Sequence, residues 1–249
     1  MASKVRPWRG LFGCSSDMAH TTLKRCSSDT LARAGAPARA KWKKEWSMYK
    51  AVVFDFGNVL CGLDRMAFAR AAAPRSKLSA RDLDAALWGG SLEREHETGR
   101  FDSRGFYRRV AALAGFEPSY SYEEFAGDYR RIILPNPDGE AGLITARDRG
   151  ARCFVLSNTS FLHARMIFEN EVLASIPELH ILSYKVGLMK PDPRIWLKLL
   201  EYTGLDAGDC LYIDDVEAYC DAARGLGFGV FCYDRNTHFL SQILQDVLK

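Results

Sequence analysis

Val52-Val53-Phe54-Asp55-Phe56-Gly57-Asn58-Val59-Leu60 decides how this chain is read. An apolar, β-branched run ends on a single aspartate, and a glycine and an asparagine follow. A strand that stops on a carboxylate places it at the carboxyl edge of a sheet, where open α/β sheets hold their ligands. The glycine lets backbone come close to whatever the carboxylate acts on.

Working outward, Ala51–Leu60 has the pattern of a buried strand. Residues 65–137 then have helical texture. An Ala-rich stretch, Met66 to Ala73, stops at Pro74, and Ser79 is placed to cap a helix over Ala80–Trp88. Asp102 or Ser103 can cap Phe106–Leu113, and Ser121 with Glu124 forms the capping-box pattern of a helix through Ile133. Pro135-Asn136-Pro137 breaks the chain. A strand–helix rhythm follows: a helix over Glu140–Arg149, a strand over Arg152–Leu156, a short strand near His180–Ser183, a helix over Arg194–Thr203, a strand over Cys210–Ile213, a helix to Arg224 and a strand over Gly229–Tyr233. Such alternation with short links predicts an α/β fold, a parallel sheet flanked by helices. The helical block at 65–137 is inserted after the first strand and is expected over the edge where the strands end.

The hydrophobic fraction of 47% and charged fraction of 26% suit a globular chain of 249 residues. No apolar run approaches the about 20 residues of a membrane-spanning helix, so no membrane is expected as a partner. Seven cysteines without a CxxC pair argue against a disulfide framework or a zinc site and for a reducing compartment. The net charge of +3 hides an asymmetry: residues 1–47 hold ten Lys/Arg and three acids, and the remainder is mildly acidic. The body therefore does not look built for nucleic acid. Residues 1–47 have the basic, serine-bearing, acid-poor composition of an organellar transit peptide. Met48-Tyr49-Lys50 runs straight into the first strand, so a disordered extension or a misplaced start codon reads equally well. The expected location is cytoplasmic, or organellar if the leader is a transit peptide.

Four polar clusters fall at strand ends or at a helix start: Asp55, Ser157-Asn158-Thr159, Lys190 and Asp214-Asp215. Asp55 can attack an electrophilic phosphorus or carbon to give a covalent intermediate. Ser157 and Asn158 offer a hydroxyl, an amide and backbone N–H groups to a phosphoryl oxygen. Lys190 supplies a point positive charge to a dianionic group. Asp214 and Asp215 are adjacent carboxylates that ionise together only beside a cation, and such oxygen donors suit Mg²⁺.

In order and spacing, these clusters resemble the four motifs of the haloacid dehalogenase (HAD) superfamily over about residues 50–235. The resemblance implies a Rossmann-like core (48–64 and 138–249), an inserted helical cap (65–137), and mostly Mg²⁺-dependent phosphohydrolase activity on small phosphorylated metabolites. It implies that Asp55 is the nucleophile, that Ser157 and Lys190 hold the phosphoryl group, and that Asp55, the Gly57 carbonyl, Asp214 and Asp215 hold the metal. The segments FDFGNVL, LSNTS, GLMKPDPRIW and YIDD are similar to the branch containing α-D-glucose-1-phosphate phosphatases, which favours a sugar phosphate.

The pattern departs from the family at Gly57, where most members carry a second aspartate that protonates the leaving oxygen and later activates water. Such help is typically worth ~10²–10⁴-fold. Three readings follow: a phosphatase suited to leaving groups that need little protonation, a cap residue (His96 or a nearby Glu) supplying the proton, or dehalogenation. Dehalogenases typically carry Tyr at this position, and the Asp214-Asp215 pair suits a cation they do not need. A second departure is Tyr219, where the branch usually has Asn or Asp, with Glu217 or Asp221 as compensating candidates. A catalytically silent HAD-fold binding protein is the remaining alternative. Of the other candidates, Lys185 has an address at the edge of the site, and Trp88, Phe101, Phe106 and Tyr107 read as core of the helical block.

Overall fold

The computed structural model describes residues 49–88 and 90–248. The leader expected over 1–47 lies outside the described residues. The chain begins with β1 (Ala51–Phe54) and β2 (Gly62–Leu63), followed by α1 (Arg65–Ala72), α2 (Ala80–Leu87), α3 (Ser91–Glu97), α4 (Ser103–Ala114) and α5 (Tyr122–Arg130). After β3 (Ile133–Leu134) come α6 (Pro137–Asp148), β4 (Arg152–Ser157), α7 (Phe161–Glu169), α8 (Glu171–Ser175), β5 (Leu179–Leu182) and α9 (Ser183–Val186). The remainder is α10 (Arg194–Thr203), β6 (Cys210–Asp214), α11 (Glu217–Gly225), β7 (Gly229–Cys232) and α12 (Leu240–Val247).

Five strands form a parallel sheet in the order β5-β4-β1-β6-β7, with β1 in the centre. Chain order runs outward from β1 to one side and then to the other, so the switch point lies beside β1, where such sheets open a crevice for ligands. Alternate residues of each central strand enter opposite layers. Val52 and Phe54 pack with Val155, Leu211 and Ile213 on one face; Ala51 and Val53 pack with Phe154, Leu156 and Tyr212 on the other. Both faces are dry, which accounts for the near-continuous apolar runs.

Helices α1–α5 enclose their own apolar cluster, with Phe68, Leu83, Phe106, Val110, Phe125 and Tyr129 fully buried. The caps are as expected: Ser79 accepts from the Asp82 N–H, Asp102 from the Gly105 N–H, and Ser121 with Glu124 closes a capping box. Several elements escaped the sequence reading, helices α8 and α9 among them. Helix α3 is short and polar. β2 and β3, two residues each, pair antiparallel where the chain leaves and re-enters the sheet layer. Helix α12 packs on α6, and its first N–H groups, Leu240 and Ser241, donate to the Asp138 carboxylate. No helix among the described residues is long and apolar enough to cross a membrane.

Candidate active site

Strand parity builds the centre of the site. Asp55 continues the Ala51/Val53 face of β1, and Asp214 continues the Cys210/Tyr212 face of β6, so both carboxylates turn toward the layer that holds α10. The segment ahead of α10 delivers Lys190 between them. Its Nζ donates to Asp55 Oδ1 at 2.7 Å and to Asp214 Oδ2 at 2.6 Å, and its side chain is 1% exposed. Tyr212, two residues before Asp214 and so on the same face, donates its hydroxyl to Asp214 Oδ2, and the Val216 N–H donates to Oδ1 at 2.8 Å. Burial pushes the Asp55 carboxyl above its usual range; Lys190 opposes this, and Asp214 and Asp215 add to it. Burial works against the Lys190 ammonium, but its two carboxylates hold its pKa above the usual value.

Asp215 turns the other way, half-buried and facing the cavity. Asn58 Nδ2 donates to its Oδ2 at 2.9 Å. Asn58 sits at φ 54°, a left-handed conformation that Asn tolerates better than most residues, and this turn aims its amide at Asp215. One oxygen from each of Asp55, Asp214 and Asp215 lies within 4.8 Å of the others, a grouping able to hold a metal ion. Three carboxylates against one ammonium leave an excess of two negative charges in that cluster when all are ionised.

Ser157 ends β4, is 1% exposed and lines the cavity. Asn158 differs from expectation in one respect. Its side chain is taken up by the Lys190 backbone: the Lys190 N–H donates to Asn158 Oδ1 at 2.7 Å, and Asn158 Nδ2 donates to the Lys190 carbonyl at 3.0 Å. The amide therefore fixes the loop that carries the lysine, and the backbone N–H is what Asn158 has to offer a phosphoryl oxygen.

These groups line a cavity of about 840 Å³, whose far side is built by the helical block. Arg65, Trp88, Glu93, Arg94, Glu97 and Thr98 contribute there, and the Arg65 guanidinium stacks 5.3 Å over the Trp88 ring. His96 does not face the cavity. It is 2% exposed, its ring lies 3.9 Å from that of Phe106, and burial drives its pKa down to about 3. The expectation of a proton from His96 is thereby overturned, because a side chain stacked in an apolar cluster reaches no substrate. Trp88 lines the cavity rather than serving only as core. Tyr219 also lines it, its ring 5.0 Å from Lys190 Nζ. Glu217 and Asp221 are exposed on α11 outside the cavity lining, so neither compensates for Tyr219. Lys185 lies over the Phe168 and Tyr184 rings, away from the cavity. The sequence had not singled out Arg65 and had offered only an unspecified glutamate near His96, because no local pattern says which side of α1 or α3 faces the sheet edge.

The sequence pattern of the haloacid dehalogenase-like hydrolases matches residues 49–227, well over half of the chain. The chain belongs to that family. A protein of Mycobacterium tuberculosis named as a phosphatase is 30% identical over 121 residues, which are 48% of this chain and 56% of that protein. D-ribitol-5-phosphate phosphatase of Bacteroides thetaiotaomicron is 26% identical over 195 residues, 74% of this chain and 91% of that enzyme. The chain thus spans little more than half the length of the first of these relatives. A solved HAD-family enzyme of Bacteroides thetaiotaomicron, in complex with magnesium and inorganic phosphate, superposes with a TM-score of 0.69 at 20% identity, over 77% of this chain and 97% of that one. The superposition establishes that this HAD-like hydrolase has the parallel-sheet fold expected from its sequence.

Proposed function

We propose that this HAD-like hydrolase is a Mg²⁺-dependent phosphohydrolase of small phosphorylated metabolites, sugar or polyol phosphates foremost, working through an aspartyl-phosphate on Asp55. The observation that carries this reading is Lys190 bridging Asp55 and Asp214 at the sheet edge, with Asp215 beside them at the base of the cavity. In the same reading, residues 65–137 are a cap over a core made of 48–64 and 138–249.

The donor set fits magnesium. Three carboxylates and the Gly57 carbonyl are hard oxygen ligands, and their excess negative charge asks for a divalent cation. Asp55, Gly57 and Asp215 line the cavity and would hold the ion on that side, with Asp214 behind them. When bound, Mg²⁺ supplies charge neutralisation to the nucleophile and to the transferring phosphoryl group. Lys190 fixes the Asp55 carboxylate through Oδ1 and brings positive charge to the phosphoryl oxygens. Ser157 and the N–H of Asn158 orient those oxygens. Asp55 attacks phosphorus, the alcohol departs, and water then splits the aspartyl-phosphate, returning Asp55 and inorganic phosphate.

The polar far wall supports a polyhydroxylated substrate: Glu93, Arg94 and Thr98 can meet hydroxyls, and Trp88 offers an aromatic face. The relative that acts on D-ribitol 5-phosphate points the same way. The narrower resemblance to α-D-glucose-1-phosphate phosphatases has no counterpart among the relatives named above and stands as one substrate to try. The polar wall and the carboxylate cluster weigh against dehalogenation.

The test is a panel of aryl, sugar, polyol and acetyl phosphates assayed with and without Mg²⁺. Hydrolysis that needs Mg²⁺ and falls more than ~10³-fold in Asp55→Asn is expected. No hydrolysis of any member, or an equally active Asp55→Asn, overturns the reading. Metal-independent halide release from 2-chloropropionate would replace it with dehalogenation.

A further inference from the structure

We propose that Glu97, at the end of α3, is the acid–base residue of this site, doing the work that Gly57 cannot. The inference rests on the phosphohydrolase reading above. A Cβ at Gly57 would stand 3.8 Å from Asp55 Oδ2, so that position looks straight at the nucleophile but carries no proton donor. Glu97 lines the same cavity from the helical side, close enough for the charges of Asp55 and Lys190 to act on it.

The neighbours narrow the choice. On a helix, adjacent residues point about 100° apart, whereas i and i+4 share a face. His96 is buried in the aromatic cluster, so Glu97 and Glu93 turn to the cavity instead. The Asp192 carboxylate in the cavity wall is paired with Arg194, and Asp215 is held by Asn58. His163 also reaches the cavity, but its Nε2 contacts the Tyr129 carbonyl at 3.1 Å, and burial pushes its pKa down to about 4. Glu97, the later of the two glutamates of α3, feels the charges of both Asp55 and Lys190.

The surroundings keep Glu97 protonated near neutrality. It is half-buried, and desolvation and the Glu93 carboxylate push its pKa up to about 8, with Asp55 adding to the rise. Arg65 of α1 and Lys190 oppose this. Arg94 on the same helix, His163 from α7, Asp192, Asp215 and Tyr219 from α11 also line the cavity, and Tyr129 from α5 lies near enough for the Glu97 charge to act on it. A neutral carboxyl is the form a general acid needs.

The proton balance closes. As Asp55 forms its bond to phosphorus and the P–O bond to the leaving group breaks, Glu97 gives its proton to the leaving oxygen, producing the free alcohol and the Glu97 carboxylate. In the second half, Glu97 takes a proton from the water whose oxygen attacks phosphorus. The bond from phosphorus to Asp55 breaks, and inorganic phosphate, ionised Asp55 and protonated Glu97 result.

The test compares wild type, Glu97→Gln and Glu97→Asp on p-nitrophenyl phosphate, whose leaving group needs no proton, and on ribitol 5-phosphate, whose leaving group does. In Glu97→Gln, p-nitrophenolate is expected in a burst of one equivalent at a rate within about tenfold of wild type, followed by turnover slowed ~10²–10⁴-fold. On ribitol 5-phosphate the loss is ~10²–10⁴-fold with no burst, and the decline of wild-type activity above pH 8 disappears from the profile. Glu97→Asp recovers part of the rate. A uniform loss on both substrates without a burst, or no loss on either, overturns the assignment of Glu97. A wild type that hydrolyses neither overturns the phosphohydrolase reading instead.

Discussion

The two walls of the cavity are made differently. On the sheet side Lys190 and Asp214 are buried, Asp215 and Asn158 half-buried, and each is fixed by a partner: Lys190 by two carboxylates, Asp214 by Tyr212 and the Val216 N–H, Asp215 by Asn58, and Asn158 by the Lys190 backbone. On the helical side Arg65 and Arg94 are exposed, Glu93 and Glu97 half-buried, and the ordered contacts lie behind them in the aromatic cluster around Phe106, Phe125 and Tyr129. One wall is a continuation of the protein core that happens to end in ionisable groups. The other is a solvated surface resting on a core of its own. Substitutions on the first wall should disturb stability and chemistry together, and those on the second should separate them.

Lys190→Met is the severest test of that contrast. It removes the only ammonium facing Asp55 and Asp214 among the described side chains and leaves both carboxylates buried. Breaking such a pair typically costs about 3–5 kcal/mol, and activity should fall with it. Urea denaturation at pH 7 reads the first and a phosphate-release assay the second; a variant within about 1 kcal/mol of wild type would break the comparison. Glu97→Gln, by contrast, should lose activity without lowering the urea midpoint at pH 7; because burial disfavours the ionised Glu97 carboxylate, the midpoint should rise.

The next effect comes from the histidines behind the helical wall. The folded pKa values of His163 and His96 are lowered to about 4 and about 3, from an ordinary value of 6.5, chiefly by burial. The unfolded chain therefore takes up protons as pH falls below 6.5, and the folded chain does not until about 4. The stability of the neutral, buried rings is fully present above 6.5 and drains away as pH falls toward 4, by about 3 kcal/mol for His163 alone. Denaturation midpoints at pH 7.5 and 4.5 measure it. Neither ring nitrogen of His96 has a hydrogen-bond partner among the described residues, so His96→Phe should flatten the curve without loss at pH 7.5. An unchanged slope would mean that the aromatic cluster admits the charged ring.

The smallest change concerns the junction of the two walls. Gly99, at φ 72°, lies against α9, and a Cβ there would stand 2.2 Å from the Tyr184 carbonyl oxygen. Gly99→Ala adds left-handed strain of roughly 1–2 kcal/mol and a collision with backbone. The end of α3 must then move, carrying Glu97 with it. We expect kcat/KM to drop by about an order of magnitude, because displacements near 1 Å are costly to positioned groups. Unchanged kinetics would show that the seating of α3 does not matter to the reaction.

Much of the first wall was legible because a strand that ends on a polar residue announces itself. Asp55, Ser157 and Asp214 each close an apolar run, and Lys190 precedes the proline that opens the approach to α10. What could not be read was which partner each polar group would take. Asn58 stands in the sequence only as the residue after the motif glycine, and its left-handed backbone is what aims it at Asp215. Tyr212 stands only as a strand residue, and strand parity puts its hydroxyl on Asp214. Asn158 looked like a ligand for phosphate, and its side chain went to backbone. On the helical wall the capping signals gave helix starts accurately, but periodicity does not say which face of a short polar helix looks at a distant sheet edge. The choice between His96 and Glu97 turned on a single 100° step around α3, set by packing against Phe106.

The small ladder of β2 and β3 has a consequence for how such a molecule can vary. Gly62 pairs with Leu134 and Leu63 with Ile133, so an excursion of about seventy residues departs and returns through neighbouring positions. Closing a long loop costs an entropy that grows only with the logarithm of its length. With its ends already clasped, a longer, shorter or wholly different helical segment could be spliced between Leu63 and Ile133 at little expense to the sheet. The wall that meets the substrate is thereby an exchangeable part, and the wall that holds Asp55 need not be rebuilt when it changes.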